Sequence, residues 1–219
     1  VLLDCGTHAF AELEAARAAG LDPIVVDHHK AATALPPALA LVNPNRFDEL
    51  ADGGLAAAHR HLCTAGLAFL LAVALVRTLR RRGHFATRPE PSLPALLDLV
   101  ALGTVADVMP LAGLNRVFVA LGLRRLAARA NVGLAALLEV AGLVAPTARD
   151  LGFHLGPRVN AGGRVGTADL GVRLLTTEDP AEARRLAAEL DTLNRERRAI
   201  EAAVTEAALA AADPDAPGV

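Results

Sequence analysis

The chain opens on a short apolar run, Val1-Leu2-Leu3, built of β-compatible residues and closed by Asp4-Cys5-Gly6. His8 to Ala19 carries a helical pattern, with Gly20 placed as a stop just beyond it. Pro23-Ile24-Val25-Val26 is too short and too β-branched for a helix and predicts a buried strand ending in Asp27-His28-His29. Strand, helix and strand in that order predict a βαβ unit, hence a parallel pair with a right-handed crossover. Ligands bind beyond the carboxyl ends of such strands. Asp4 and Asp27-His28-His29 both follow strand ends and are expected to face one crevice. Leu39 to Val42 predicts a further strand, ended by Asn43-Pro44-Asn45.

Helical periodicity dominates the rest. Thr64 to about Arg82, Leu93 to Val105, Asn115 to Arg129 and Val132 to Ala141 predict helices, the second of which delivers Asp107. The longest apolar run, Leu62 to Val76, is shorter than the ~20 residues a membrane span needs and predicts a buried helix. Arg80 to Pro94, with an arginine triplet, a glycine and three prolines, predicts an exposed loop. Gly152 to Gly166 holds five glycines with Arg158 and Arg164, and is also expected to be a loop. Asp179 is placed as an N-cap, with Pro180 and Glu182 in the first turn. Leu186, Leu190, Leu193, Ile200 and Val204 then form a stripe that could run to about Ala212, where Asp213-Pro214 stops it. That helix would be roughly 50 Å long.

The expected fold class is therefore α/β: a parallel sheet flanked by helices over residues 1–176, and a long C-terminal connector helix over 177–213. The start inside a strand-like run and the close at Pro217-Gly218-Val219 suggest a piece of a longer protein.

Composition changes this picture little. With six Phe and no Trp or Tyr, the core must be filled by Ala, Leu and Val. The net charge of -2 does not mark a nucleic-acid binder, so any basic surface must be local. Cys5 and Cys63 form no CxxC pair and no disulfide framework, which fits a reducing cytoplasm. Cys63 is expected in the core. Ser92 is the sole serine, which makes a serine-nucleophile triad implausible. Gly53-Gly54 and Gly162-Gly163 fit no phosphate-loop or dinucleotide fingerprint. His59 and His61 are expected on the surface, and His8, His84 and His154 as structural or exposed.

Adjacent histidines on their own more often cap a strand by bonding backbone carbonyls. Here the strand-end placement, with Asp4 on a second strand end and Asp107 further on, favours a metal site. Carboxylate oxygens with neutral imidazole suit Mn²⁺ or Mg²⁺. Paired divalent ions can generate a hydroxide nucleophile and neutralise charge on a phosphoryl group.

The ordered motifs carry a resemblance. Asp27-His28-His29 after Ile24-Val25-Val26 matches the motif that names the DHH phosphoesterase family, and Asp4-Cys5-Gly6 fits its Asp-x-Gly motif. Gly103-Thr104-Val105-Ala106-Asp107-Val108-Met109-Pro110-Leu111 fits the later Gly-Thr-x-Ala-Asp-x-x-Pro-Leu. Gly156-Pro157-Arg158-Val159-Asn160-Ala161-Gly162-Gly163-Arg164 and Leu193-Asn194-Arg195-Glu196-Arg197 are similar to motifs of the family's single-strand exonuclease branch. The Arg80 to Pro94 stretch resembles a local insertion. The family's first metal motif, an Asp-x-Asp-Gly on an earlier strand, has no counterpart before Val1, which implies weak metal affinity and little activity for this chain alone.

The resemblance implies roles. Asp4 would bridge two metals, His28 and Asp107 would ligate, His29 would contact the scissile phosphate or complete the metal shell, and Asp27 would orient the site. Arg158, Asn160 and Arg164 would bind substrate phosphate. The implied activity is 5′-to-3′ hydrolysis of single-stranded DNA in repair and recombination, releasing 5′-mononucleotides, with a single-strand-binding protein and a helicase as partners. A small-substrate DHH enzyme, acting on oligonucleotides, cyclic dinucleotides or polyphosphate, is one alternative. A non-catalytic DNA-binding scaffold is the other.

Overall fold

A computed structural model describes residues 1–50 and 58–212. Gly53, Gly54, Asp213 and Pro214 lie outside the described residues. Two compact units are formed, Val1–Ala128 and Arg129–Val219.

The first unit holds a three-stranded parallel sheet in the order β1 (Leu2–Leu3), β2 (Ile24–Val26), β3 (Ala40–Val42). Leu3 pairs with Val26 and Val26 with Val42. The expected βαβ unit is present, with α1 (Phe10–Ala18) as its crossover. Gly20, at φ +77°, ends α1 where the sequence placed the stop. Its N–H bonds the Arg17 carbonyl, and the next N–H, of Leu21, bonds that of Ala16. A short helix, α2 (Phe47–Leu50), follows β3.

The central strand is buried because one of its faces meets the helices. Val26 packs with Leu62, Leu67, Leu97, Val100 and Phe118, drawn from the approach to and start of α3 (Thr64–Arg81) and from α4 (Leu97–Ala106) and α5 (Gly113–Ala127). Burying each such side chain contributes about 1.5–3 kcal/mol. Phe69 meets Phe118 edge to face with ring centroids 5.4 Å apart. Cys63 is buried, and its Sγ lies 3.6 Å from Thr104 Oγ1. The apolar run from Leu62 to Val76 is helical but buried on one side only: Leu71, Val73 and Leu75 are exposed. A run apolar all round predicts full burial; here only the side bearing Gly66, Leu67 and Val76 is covered. Beyond α3, the loop carries a 3₁₀ turn at His84–Ala86 and is tied back by an Arg80–Glu90 ion pair. His59 and His61 are half-buried rather than on the surface, with His59 Nδ1 and His61 Nε2 shielded from solvent. The close approach of Gly113 to the His61 ring accounts for part of that burial.

The second unit is helical: α6 (Val132–Val140), α7 (Ala148–Asp150), α8 (Gly156–Val165), α9 (Leu170–Thr176) and α10 (Pro180–Ala211). The expected loop over Gly152 to Gly166 is instead a π-helical turn, Leu151–Leu155, running into α8. Packing overrides glycine's low helix propensity here. A Cβ on Gly162 would sit 3.1 Å from Leu190 of α10 and 3.3 Å from Leu170, so glycine lets the helices close. Pro157 has no N–H to continue an α ladder, and the wider π turn just before it accommodates that gap.

α10 begins at its Asp179 cap, whose carboxylate accepts the Ala181 N–H at 2.9 Å. Its 32 residues span about 48 Å. Ala183, Leu186, Ala187, Leu190 and Asn194 are buried, whereas Ile200, Val204 and Leu209 are exposed. α10 belongs to the second unit, which begins at Arg129.

Candidate metal centre

The parallel ladder extends one residue past each strand and thereby sets the site. Asp4 N–H bonds the Val26 carbonyl and Asp27 N–H bonds that of Val42, both at 3.0 Å. Asp4 then turns at φ +64°, a conformation few non-glycine residues adopt. Gly6 follows at φ +108°, where a Cβ would meet Val25 at 3.0 Å. Glycine is what lets the chain fold tightly over the strand end.

Asp27 is the buried hub. Its Oδ1 accepts the His28 N–H at 2.8 Å, the His29 N–H at 3.3 Å and His29 Nδ1 at 2.7 Å. Its Oδ2 accepts the Thr7 N–H at 3.1 Å. Burial alone would raise this carboxyl's pKa; the hydrogen bonds from Thr7, His29 and His28 outweigh it and hold Asp27 ionised far below the usual carboxylate range. The same bond to Asp27 raises the His29 imidazole above its ordinary value, against the opposing effect of burial. With Nδ1 engaged, His29 presents Nε2 outward.

His28 is mostly buried, and its Nε2 lies 3.4 Å from Asp4 Oδ1 and 3.4 Å from Asp107 Oδ2. Asp107 is delivered by the C-terminal end of α4. Burial pushes its carboxyl above the usual range; His28 opposes that push, and the Asp4 carboxylate adds to it. Two carboxylates crowd one imidazole nitrogen, an arrangement that a cation would relieve. Asp4, His28 and His29 each offer a donor atom within 4.8 Å of the others. Hard oxygens with imidazole nitrogens fit Mn²⁺ or Mg²⁺.

Sequence reasoning missed three supporting residues. The buried Asn43 donates to Thr7 Oγ1 at 3.0 Å and to the His29 carbonyl at 2.8 Å. Asn45 donates to the His28 carbonyl at 2.6 Å. Together they pin the backbone that carries both histidines. The available signal was Asn43-Pro44-Asn45 itself, which closes β3 at the same sheet end as Asp4 and Asp27. Thr7 carried no such signal. His8 bonds the Lys30 carbonyl at 2.7 Å, a structural role as expected.

Arg158, Asn160 and Arg164 all lie on α8, in the second unit. Arg158 is held by Asp191 of α10, through Nε and Nη2 at 2.9 Å, and by the His154 carbonyl through Nη1 at 2.8 Å. N–H groups of Nη1 and Nη2 remain for a ligand. Asn160 and Arg164 are exposed and make no side-chain hydrogen bond among the described residues.

Residues 1–104 match the DHH family, N-terminal domain. The chain is 45% identical over 214 residues to the single-stranded-DNA-specific exonuclease RecJ of Dickeya dadantii, covering 95% of this chain and 36% of that protein. It is 46% identical over 206 residues to RecJ of Escherichia coli, covering 92% and 35%. The crystal structure of RecJ in complex with Mn²⁺ from Thermus thermophilus superposes with a TM-score of 0.79 at 38% identity, over 97% of this chain and 30% of that one. Over residues 1–104 the chain is thus similar to the DHH family's N-terminal domain. It is similar to RecJ, and it spans about a third of the length of these curated relatives.

Proposed function

We propose that this chain supplies the metal centre and a strand-binding helix of a RecJ-type, 5′-to-3′ exonuclease specific for single-stranded DNA. The observation that carries the reading is His28 Nε2 set between the Asp4 and Asp107 carboxylates at 3.4 Å from each. The relatives' own name supports single-stranded DNA as substrate.

In this reading Asp4, His28 and Asp107 would hold Mn²⁺ or Mg²⁺, with Asp4 as the ligand shared between two ions. Such ions, when bound, supply Lewis-acid polarisation of the phosphoryl group and an activated water. Asp27 fixes the His29 ring by its Nδ1 bond, as carboxylates beside metal-site histidines do. His29 Nε2 then faces the phosphate or completes the metal shell. Arg158, already oriented by Asp191, and the exposed Arg164 with Asn160 bind strand phosphates, to which guanidinium groups are suited. Residues 1–176 act as the DHH core and 177–213 as the connector to a further domain. By the same reading the protein works in the cytoplasm, beside a single-strand-binding protein and a helicase. No helix of the described residues is long and apolar enough to cross a membrane.

The test is digestion of long, 5′-phosphorylated single strands by the full-length protein with Mn²⁺. Mononucleotides should appear from the 5′ end, and His28→Ala should lower kcat/KM by about 100-fold or more. Unchanged cleavage by His28→Ala, or activity on dinucleotides alone, would contradict the assignment.

A further inference from the structure

Three helices end with the same pair of backbone hydrogen bonds, and they differ in the residue that takes the left-handed position. At the end of α1 it is Gly20, φ +77°; at the end of α6 it is Gly142, φ +68°. In the latter, Gly142 N–H bonds the Glu139 carbonyl and Leu143 N–H that of Leu138. At the end of α4 the position falls to Val108, φ +56°. Val108 N–H bonds the Val105 carbonyl at 3.0 Å and Met109 N–H that of Thr104 at 3.2 Å. The motif calls for glycine, and a β-branched residue is among the least suited to it.

Packing does not explain the valine. Its side chain is 88% exposed, so it fills no core. Nor is the segment loose. The buried Asn115 donates to the Pro110 carbonyl at 3.0 Å and also to that of His61, holding the turn in place. The turn begins at Asp107, whose carboxylate faces His28. An isopropyl group is thus held in a disfavoured conformation, in water, one residue from the metal-facing carboxylate. Strained residues of this kind concentrate where a ligand is bound.

We propose that Val108 is a substrate-contacting residue: its side chain forms an apolar platform for the nucleobase of the nucleotide whose phosphate sits at the Asp4, His28 and Asp107 site. This rests on the function proposed above. Apolar contact with a base face is sequence-tolerant, because every base has one, and it suits an enzyme that must accept each nucleotide in turn.

The experiment compares the full-length wild-type protein with its Val108→Gly and Val108→Ile variants. The three measurements are thermal melting, Mn²⁺ uptake and steady-state cleavage of a 5′-phosphorylated single strand, with and without an abasic first residue. Val108→Gly should melt at a higher temperature and take up Mn²⁺ as the wild type does. Its KM for the normal strand should rise about fivefold, with a smaller change in kcat, from lost apolar contact. Val108→Ile should keep the wild-type KM, and the abasic strand should abolish the difference between wild type and Val108→Gly. A Val108→Gly protein that melts higher with an unchanged KM would overturn the inference while leaving the nuclease reading intact. One that melts lower would mark Val108 as structural and overturn it too, and a KM difference that persists on the abasic strand would remove the nucleobase as the contact. A wild-type protein that cuts no single strand would remove the nuclease reading and this inference with it.

Discussion

Asp27 gathers donors from Thr7, His28 and His29 on one buried carboxylate, and this explains why it is an aspartate rather than an amide. An asparagine would present N–H to at least one donor that now points at oxygen. Asp27→Asn should therefore cost about 1–3 kcal/mol at neutral pH, measured by urea denaturation. The pH dependence has a definite sign. Because the folded-state pKa of Asp27 is lowered, its contribution is fully present above the ordinary aspartate range near pH 4 and is lost as pH falls through that range toward the folded value. The stability gap between wild type and Asp27→Asn should thus be constant near neutrality and shrink on acidification below about pH 4; a gap that widened there would contradict the account. Asp4, Asp27, His28 and Asp107 were legible in the sequence because strand ends and a helix end declare themselves by pattern. Thr7, Asn43 and Asn45 were not, because their partners are brought close only by the fold.

At the scale of elements, the sheet and most helices follow their periodicity closely. The exception is the stretch from Gly152 to Gly166. Five glycines and a proline predict a loop, yet a π turn and α8 form, because α8 lies against α10 at Gly162. Local propensity is worth under about 1 kcal/mol per glycine and yields to such packing. Two neighbouring glycines make a paired test. Gly162→Val should destabilise by about 1–3 kcal/mol, since the added bulk meets Leu190 and Leu170. Gly163→Ala meets nothing within 4 Å and should stabilise by about 0.5–1 kcal/mol. Equal effects at the two positions, read from urea denaturation, would contradict the helical packing. The long helix shows the reverse case. Its apolar stripe reads continuously from Leu186 to Val204, but burial stops near Asn194. Periodicity announces a helix without saying how much of it is covered.

Across the whole molecule, a net charge of -2 conceals local chemistry of opposite kinds. The first unit concentrates carboxylates and imidazoles at the carboxyl end of its sheet; the second carries the two arginines and the asparagine of α8. The proposed phosphodiester hydrolysis calls for both, a cation site and groups that hold phosphate. The central claim is that Asp4, His28 and Asp107 form the cation site. A Mn²⁺ titration followed by the electron paramagnetic resonance of the free ion tests it most directly, on the full-length wild-type protein and its His28→Ala and Asp107→Asn variants. The account predicts Mn²⁺ uptake by the wild type and a loss of affinity of at least about tenfold in each variant. Uptake by both variants equal to that of the wild type would contradict it.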